Sequence, residues 1–247
     1  MNRYSDYDGL AWLYDRHWGH ASDQVVPVLE RLVLPALPEG ARVLDLCCGS
    51  GRLAQALTAR GYRVTGLDGS EEMVGLARAR APGAEFVVAD ARSFSLPGTY
   101  DGVVSTFDSL NHVMSLEELV SVFGNVRSSL VGGGLFFFDL NTEEGYRADW
   151  HGSFGIVEDE YVCVVRSSYS PTERTAHFRA TMFRLQDGWQ RSDLTLRQRC
   201  YSEAEVRSAL ETAGFTDIDA YGCDAGQGPV AFTEAHRRVF FLCRAPK

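Results

Sequence analysis

The sequence predicts a doubly wound α/β fold, and three observations indicate it. Short apolar runs alternate with amphipathic segments of helical spacing from the N-terminal part of the chain up to Thr142. The apolar runs lack the alternation of a half-exposed strand, so both of their faces are expected to be covered. A glycine-rich turn joins the first run to the following helix. A parallel sheet with helices on both sides accounts for all three observations, and the right-handed crossover rule leaves few topologies.

Seven segments are predicted as strands of this sheet. Each is short, and most are apolar and bounded by turn residues. Five alternate with helices, and the last two follow the final helix. In order they are "ARVLDLC", "YRVTGLDGS", "AEFVVADA", "YDGVVSTF", "LFFFDL", "TDIDAYG" and "RRVFFLCRA".

The predicted helices carry capping signals at their first residues. Ser70 precedes two glutamates in "SEEMVGLARARAPG", which suits a helix N-terminus. Ser115 with Glu118, and Ser202 with Glu205, have the spacing of capping boxes. Ahead of the core, "YDGLAWLYDRHW" and "SDQVVPVLERLVLPAL" predict two more helices. We expect these two helices to form an N-terminal cap.

The pattern changes between the fifth and sixth strands. Residues 155–200 contain three long, half-polar runs, and "SPTE" and "QDG" mark turns. This predicts an antiparallel β insert instead of another strand–helix unit. The expected organisation is therefore an α/β core with its helical cap, residues 1–142 and 201–247, and an insert, residues 143–200.

Charge and composition exclude some classes of partner. The formal net charge is −9 and the isoelectric point is about 5.2, whereas a nucleic-acid partner requires a basic face. The first residues, "MNRYSDYDGLAW", are too polar for a signal peptide, and no run approaches the length of a membrane span. We expect a cytoplasmic protein with no membrane or nucleic-acid partner.

The six cysteines do not form a recognisable metal or redox motif. None lies in a C-x-x-C pair, and no histidine is near Cys47 and Cys48 in the sequence. In a reducing compartment the expectation is buried, free thiols, with no metal site.

The turn "CCGSG" is the first candidate ligand site. Without side chains, Gly49 and Gly51 let a ligand approach the backbone at a helix N-terminus. With Ala54 they also satisfy G-x-G-x-x-A, so an NAD(P)-dependent oxidoreductase is one interpretation. Asp45 argues against it, because a carboxylate this close to the loop repels a pyrophosphate but attracts a sulfonium or ammonium group.

Acidic residues end the next two strands. Asp68 follows the second strand, where a carboxylate can accept the hydroxyls of a ribose, and Asp90 follows the third, where it can accept an adenine amino group. The segment "STFDSLNH" ends the fourth strand and is expected to face the same crevice.

These motifs resemble those of class I S-adenosylmethionine-dependent methyltransferases. The resemblance rests on "VLDLCCGSG", "GLDGS", "VVADAR" and "STFDSLNHV" in this order. It implies a Rossmann-like sheet, S-adenosyl-L-methionine as methyl donor and S-adenosyl-L-homocysteine as product. The usual loop of the family is D-x-G-x-G-x-G, and Cys47 stands here as a small substitute at its first glycine. The cofactor residues implied are Asp45, Cys47, Gly49 and Gly51 at the methionine part, Asp68 and Gly69 at the ribose, Asp90 and Ala91 at the adenine, and Phe107 over the cofactor near its methyl group.

The N-terminal segment with "FDSLNHV" and "FDLNT" narrows the resemblance to small-molecule enzymes, especially those that methylate sugar amines and related natural products. In that group a tyrosine-bearing N-terminal helix closes over the cofactor. Tyr7 and Tyr14 occupy comparable places, and Trp18 would touch the methionine carboxylate. The alternative is that the aromatic residues only dock this helix on the core, and the two interpretations are compatible.

His112 is the candidate general base for an amine acceptor, since its ordinary pKa lies near neutrality. Tyr7, Asp108, Asn111 and Trp150 are candidate substrate contacts, and the insert is expected to act as a lid that selects the acceptor. O- or C-methylation and an inactive cofactor-binding module remain alternatives. The oxidoreductase interpretation lacks a Tyr-x-x-x-Lys pair, because Lys247 is the only lysine. The expected partner is a small-molecule acceptor, and the resemblance leaves a homodimer open.

Overall fold

Two β-sheets and seven α-helices make up the part of the chain that the computed structural model describes, residues 6–224 and 228–247. The strands are β1 (Arg42–Leu46), β2 (Arg63–Asp68), β3 (Glu85–Val88), β4 (Tyr100–Ser105), β5 (Leu130–Asn141), β6 (Gly152–Val157), β7 (Tyr161–Ser170), β8 (Thr175–Gln186), β9 (Gly188–Arg199), β10 (Thr216–Asp224), β11 (Gly228–Ala231) and β12 (Arg238–Arg244). The helices are α1 (Ala11–His17), α2 (Val26–Leu32), α3 (Arg52–Ala59), α4 (Glu71–Arg80), α5 (Leu116–Ser129), α6 (Glu143–Asp149) and α7 (Glu203–Thr212).

The main sheet has the order β11-β10-β12-β5-β4-β1-β2-β3. Strands β1 to β5 pair in parallel, while β12, β10 and β11 pair antiparallel. The predicted doubly wound α/β fold is confirmed. The sheet has eight strands instead of seven, because the short β11 pairs antiparallel with β10 at the edge. The carboxyl ends of β1 to β4 meet at one edge, where ligands bind in open α/β sheets.

The core lies on both faces of this sheet. Phe136 and Phe138 of β5 pack with Phe123 of α5 on one face, and Phe137 between them packs with Leu57 of α3 on the other. All four phenylalanines are fully buried. Successive residues of a strand point to opposite faces, and burying each such side chain stabilises the fold by roughly 1.5–3 kcal/mol. The run "LFFFDL" is therefore apolar because both of its faces are covered.

Side-chain caps start α4, α5 and α7, the helices whose sequences carry capping signals. Ser70 Oγ accepts the Met73 N–H at 3.2 Å, and Ser115 Oγ accepts the Glu118 N–H at 3.1 Å. Ser202 and Glu205 form a complete capping box at the start of α7. Each satisfies backbone donors that have no partner within the helix, so these starts follow directly from the sequence.

The insert is a separate sheet of four antiparallel strands, in the order β6-β7-β8-β9. The sequence predicts three runs, but the first divides into β6 and β7 at an exposed turn that contains the acidic residues Glu158, Asp159 and Glu160. The inner face of this sheet packs on α1 through a cluster that includes Leu10, Leu13 and Leu196. The N-terminal cap and the insert therefore cover the ligand edge of the main sheet together.

All six cysteines are free thiols. Within residues 6–224 and 228–247, no three or more histidine, cysteine, aspartate or glutamate side chains are grouped so that they could hold a metal ion. In the same residues, no helix has the length and apolarity that crossing a membrane requires.

Candidate active site

Two adjoining cavities lie at the carboxyl ends of the parallel strands. The first is lined mainly from the loops after β1 to β4, by Tyr7, Tyr14, Cys47, Gly49, Asp68, Gly69, Met73, Asp90, Ala91, Arg92, Phe107, Ser109, Leu110, His112 and Val113. The second lies between the cap, the insert and β12. The two share a wall made by Tyr7, Tyr14, Phe107 and His112.

The glycine loop forms one side of the first cavity. Gly49 has φ +52°, and a Cβ there would meet no atom within 4 Å, so the backbone is open to the cavity. Cys47 lines the cavity with φ +61°, a conformation that favours glycine. Gly51 does not line it. A Cβ at Gly51 would lie 2.8 Å from Ala77 Cα, so this glycine permits α3 to pack on α4.

Asp45 lies beneath the loop, fully buried and outside the cavity lining. Its Oδ2 atom has no hydrogen-bond partner in the part of the chain that the structure describes. Burial, together with the negative charge of Asp68, raises the pKa of Asp45 to about 7. A buried carboxylate oxygen without a partner is rare in native proteins. A cationic ligand group in the first cavity would favour its ionised form, so this position suits a cofactor that carries a sulfonium and an ammonium group.

Asp68 lines the first cavity and is held by the backbone around it. Oδ2 accepts the Gly49 N–H and Oδ1 accepts the Ser70 N–H, each at 2.9 Å. These bonds fix the carboxylate, and each oxygen keeps a further lone pair for a ligand hydroxyl. Asp68, Gly69 and Gly49 therefore fit the ribose and methionine parts of the implied cofactor.

Asp90 pairs with Arg92, a residue that the sequence reasoning missed. Arg92 Nη2 lies 2.6 Å from Asp90 Oδ2, and Nη1 lies 3.1 Å from Glu118 Oε1. Burial alone would raise the pKa of Asp90, but the hydrogen bonds from Arg92 outweigh it and hold the pKa below its ordinary value. An adenine amino group would have to share this carboxylate with Arg92. The arginine two positions after the acid, in "ADAR", was the available signal.

Phe107 and Asp108 are held in an unusual backbone conformation, with φ +62° and +51°. Asp139 of β5 stabilises it, because its carboxylate accepts the Phe107 N–H at 2.7 Å and the Asp108 N–H at 3.0 Å. Strain of this kind persists only where surrounding contacts fix it, and it is concentrated at functional sites. Here it places the Phe107 ring in the wall between the two cavities.

A half-buried arginine joins the two carboxylates behind this wall. Arg238 Nη2 lies 2.7 Å from Asp108 Oδ1, and Nη1 contacts Asp139 Oδ2. Nη2 also donates to Asn141 Oδ1 at 3.1 Å. Removing one member would leave a buried charge without its partner, which is strongly destabilising. Sequence reasoning missed Arg238, although the sequence shows an arginine at the start of the apolar strand β12.

His112 lines both cavities with a defined tautomer. Nδ1 lies 2.9 Å from the Arg197 carbonyl oxygen, which can only accept a hydrogen bond, so the proton is on Nδ1. Nε2 is then an acceptor, and the Tyr7 hydroxyl lies 2.9 Å from it. Burial lowers the pKa of His112, while the negative charge of Asp108 opposes this. Burial therefore favours the neutral ring, with its basic nitrogen at the shared wall.

Gln198 of β9 completes the surroundings of His112 and was also missed. Its amide nitrogen donates to Asp108 Oδ2 at 2.6 Å and lies 3.2 Å from His112 Nε2. Its Oε1 accepts the Tyr146 hydroxyl at 2.8 Å and the Asn141 amide at 3.3 Å. Since a carboxylate requires a donor and the Asn141 nitrogen requires an acceptor, only one orientation of the Gln198 amide is consistent. The insert therefore supplies two groups that contact the candidate base, the Arg197 carbonyl at Nδ1 and the Gln198 amide near Nε2.

Trp18 and Asn111 lie away from their expected positions, whereas Trp150 lies at the second cavity. Trp18 lines the second cavity and not the first, with its ring 5.8 Å from that of Phe178, so it is not placed to touch the methionine part. Asn111 lines neither cavity. Its amide donates to the Arg199 carbonyl and accepts the Asn141 N–H, so it ties the segment after β4 to the ends of β9 and β5. Trp150 lines the second cavity, as do Tyr7 and Asp108.

Two acidic side chains fasten the N-terminal cap beside the first cavity. Asp15 of α1 accepts from Ser50 Oγ at 2.6 Å and pairs with Arg80 of α4 at 2.7 Å. The hydrogen bond from Arg80 lowers the pKa of Asp15 to about 2. Asp8 accepts from Ser70 Oγ at 2.6 Å. The cap is thus tied to the glycine loop and to the residue that starts α4.

Several known proteins are similar to this chain over the region that forms the two cavities. A family model described as a methyltransferase domain matches residues 43–134. The dTDP-3-amino-3,6-dideoxy-alpha-D-glucopyranose N,N-dimethyltransferase of Streptomyces fradiae is 32% identical over 181 residues, 70% of this chain and 69% of the relative. The dTDP-3-amino-3,4,6-trideoxy-alpha-D-glucopyranose N,N-dimethyltransferase of Streptomyces venezuelae is 29% identical over 80% of this chain and 84% of the relative. The structure of the CcbJ methyltransferase of Streptomyces caelestis matches with a TM-score of 0.79 at 23% identity, over 100% of both chains.

Proposed function

Because the chain belongs to the class I S-adenosylmethionine-dependent methyltransferases, we propose that it methylates an amine nitrogen of a small molecule held in the second cavity. The observation that carries the proposal is His112, a neutral base whose Nε2 lies at the wall between the two cavities. The relatives named as N,N-dimethyltransferases support an amine acceptor. Membership of this family also sets aside the oxidoreductase interpretation of the glycine loop.

The first cavity would hold the methyl donor. Gly49 and Cys47 would border its methionine part, Asp68 with Gly69 its ribose, and Asp90 with Ala91 its adenine. When bound, S-adenosylmethionine supplies a sulfonium-borne methyl group, which passes to the acceptor lone pair as the sulfur–carbon bond breaks. The protein then has to align the acceptor and exclude water, and alignment can lower a barrier by roughly 7–11 kcal/mol.

His112 and Tyr7 would remove the proton that an amine carries in water. The Tyr7 hydroxyl donates to His112 Nε2, and Tyr7 lines both cavities. An acceptor N–H proton can pass to the Tyr7 oxygen as the Tyr7 proton passes to Nε2, which leaves the nitrogen lone pair free. The Arg197 carbonyl holds Nδ1–H throughout, so the imidazolium that forms is hydrogen-bonded on both nitrogens.

The test measures the production of S-adenosylhomocysteine with two matched acceptors. One is methyl 3-amino-3,6-dideoxy-α-D-glucopyranoside, and the other is the same glycoside with a hydroxyl in place of the amine. We expect transfer to the amine only. His112→Ala should lower kcat by about 10²–10⁴-fold, the range for a general base, while its affinity for S-adenosylhomocysteine changes less than twofold by calorimetry.

His20→Ala is the control, since it removes an exposed histidine outside both cavities. Methylation of the hydroxyl compound alone would contradict N-transfer. Full turnover by His112→Ala at all pH values would contradict the role of the base. Binding of S-adenosylhomocysteine without transfer to either compound would favour a cofactor-binding module.

A further inference from the structure

The second cavity has aromatic walls and paired charges. We propose that the acceptor is an amine on an apolar or ring-shaped scaffold that carries no phosphate group. This inference rests on the proposed function and names the class of its substrate. It separates this chain from enzymes whose amine is carried on a nucleoside diphosphate.

Aromatic rings from three elements form the outer wall. Trp18 follows α1, Phe154 lies on β6 and Phe178 on β8. The Trp18 ring centroid lies 5.8 Å from Phe178 and 6.4 Å from Phe154. Phe154 is 49% exposed although it is next to these rings. Exposed ring faces of this kind bind other rings, C–H surfaces and ammonium groups.

The guanidinium at the inner end of the cavity is already neutralised. Arg238 pairs with Asp108 and Asp139, and both carboxylates are buried. A phosphate that drew Arg238 away would leave two buried carboxylates without their cation, which is costly. The phosphate would also lie against the negative charge of Asp108.

A second carboxylate, that of Asp149, also lines the cavity. Its Oδ1 lies 3.1 Å from Nη1 of Arg237, which is exposed and not among the lining residues. Among the lining residues that the structure describes, the carboxylates are Asp108 and Asp149 and the guanidinium is Arg238. This balance attracts an ammonium ion and repels a diphosphate. An amine can therefore enter protonated and lose its proton only beside Tyr7 and His112.

The test compares two acceptors that share one amino sugar and titrates dTDP alone. The acceptors are dTDP-3-amino-3,6-dideoxy-α-D-glucose and methyl 3-amino-3,6-dideoxy-α-D-glucopyranoside. We expect kcat/KM for the glycoside to equal or exceed that for the dTDP-linked sugar. Calorimetry should detect no binding of dTDP to the protein loaded with S-adenosylhomocysteine. A tenfold preference for the dTDP-linked sugar, or dTDP binding with Kd below about 100 µM, overturns the inference.

Asp149→Asn provides a gain-of-binding variant, because it removes the carboxylate partner of Arg237. We expect dTDP binding to appear at low salt in this variant but not in Glu158→Gln, which removes one negative charge on the exposed β6–β7 turn. Failure of the proposed function looks different. In that case the hydroxyl glycoside is methylated and neither amine is, while the dTDP titration still decides the inference.

Discussion

Replacing Gln198 by methionine tests whether the insert tunes the base. The change keeps the length of the side chain but removes its amide, so His112 Nε2 loses a donor at 3.2 Å and Asp108 loses a donor at 2.6 Å. A donor on Nε2 stabilises only the neutral ring, and a donor on Asp108 weakens its attraction for an imidazolium. Both losses raise the pKa of His112. The groups that bear on this titration are Tyr7 and Asp6 from the N-terminal segment, Asp108 after β4, Arg238 from β12 and Tyr146 from α6 through Gln198.

The expected shift follows from the energy of one hydrogen bond. One hydrogen bond contributes about 1 kcal/mol net, and one pH unit of pKa shift corresponds to about 1.36 kcal/mol. The loss of the bond should therefore move the acid limb of kcat/KM up by about 0.7 pH unit. The ratio of variant to wild-type kcat/KM should therefore be about fivefold lower at pH values below that limb than it is near pH 8. The sign is fixed, because His112 must be neutral to accept a proton and its wild-type pKa already lies below the ordinary value.

The assay is the pH dependence of kcat/KM for the amino glycoside, given as the ratio of variant to wild type so that the titration of the substrate cancels. Gln190→Met, at an exposed position on the same strand, is the matched control. Calorimetry with S-adenosylhomocysteine checks that the first cavity is intact. An acid limb that stays in place or moves down, in a folded variant, refutes the reasoning. A uniform loss of activity at every pH shows that Gln198 is only structural.

Three further predictions concern the first cavity and its cap. Cys47→Gly should retain affinity for S-adenosylhomocysteine within twofold, since Cys47 lines the cavity with φ +61°, a conformation that favours glycine; a large loss of affinity would show that the thiol itself binds ligand. Asp68→Ala should weaken S-adenosylhomocysteine binding at least tenfold in calorimetry and should not create NADH binding, because the carboxylate that borders the cavity is lost; unchanged affinity would contradict its place at the ribose. For Asp15, whose pKa is lowered to about 2, the ionised side chain stabilises the fold above its unfolded pKa of 3.8. The excess stability of the wild type over Asp15→Asn, measured by denaturant unfolding, should therefore be full at pH 7 and decline as the pH falls from about 5 to about 1, and a difference at pH 1 as large as that at pH 7 would contradict this.

Local sequence patterns were sufficient to predict the fold and the first cavity. Asp68 and Asp90 follow strands whose carboxyl ends must meet in a parallel sheet, so their positions follow from topology alone. Gly49 and Gly51 were both recognised, but the pattern could not distinguish the glycine that opens onto the cavity from the one that packs on Ala77. That distinction depends on where α4 lies, which is a tertiary property.

The second cavity could not be predicted in the same way. Arg238 lies 130 residues from Asp108, and Gln198 lies 86 residues from His112, so no local spacing connects them. Gln198 is a polar residue on the buried face of β9, a strand whose first six residues are all exposed. Trp18 was assigned to the wrong cavity because the direction of the chain after α1 depends on packing against the insert. Polar residues whose partners are distant in the sequence have no recognisable pattern in the residues next to them.

The fastening of the cap has a consequence for the order of events in turnover. Tyr7 and Tyr14 belong to the cap and border both cavities, while Asp8 and Asp15 of the same segment are bonded to Ser70, Ser50 and Arg80 beside the first cavity. Departure of the demethylated cofactor therefore requires these hydrogen bonds and the Asp15–Arg80 ion pair to open, and their opening also disassembles the wall against which the second substrate lies. Steady-state kinetics should accordingly be sequential and ordered, with the methyl donor entering first and its product leaving last, and with a release step that added salt accelerates.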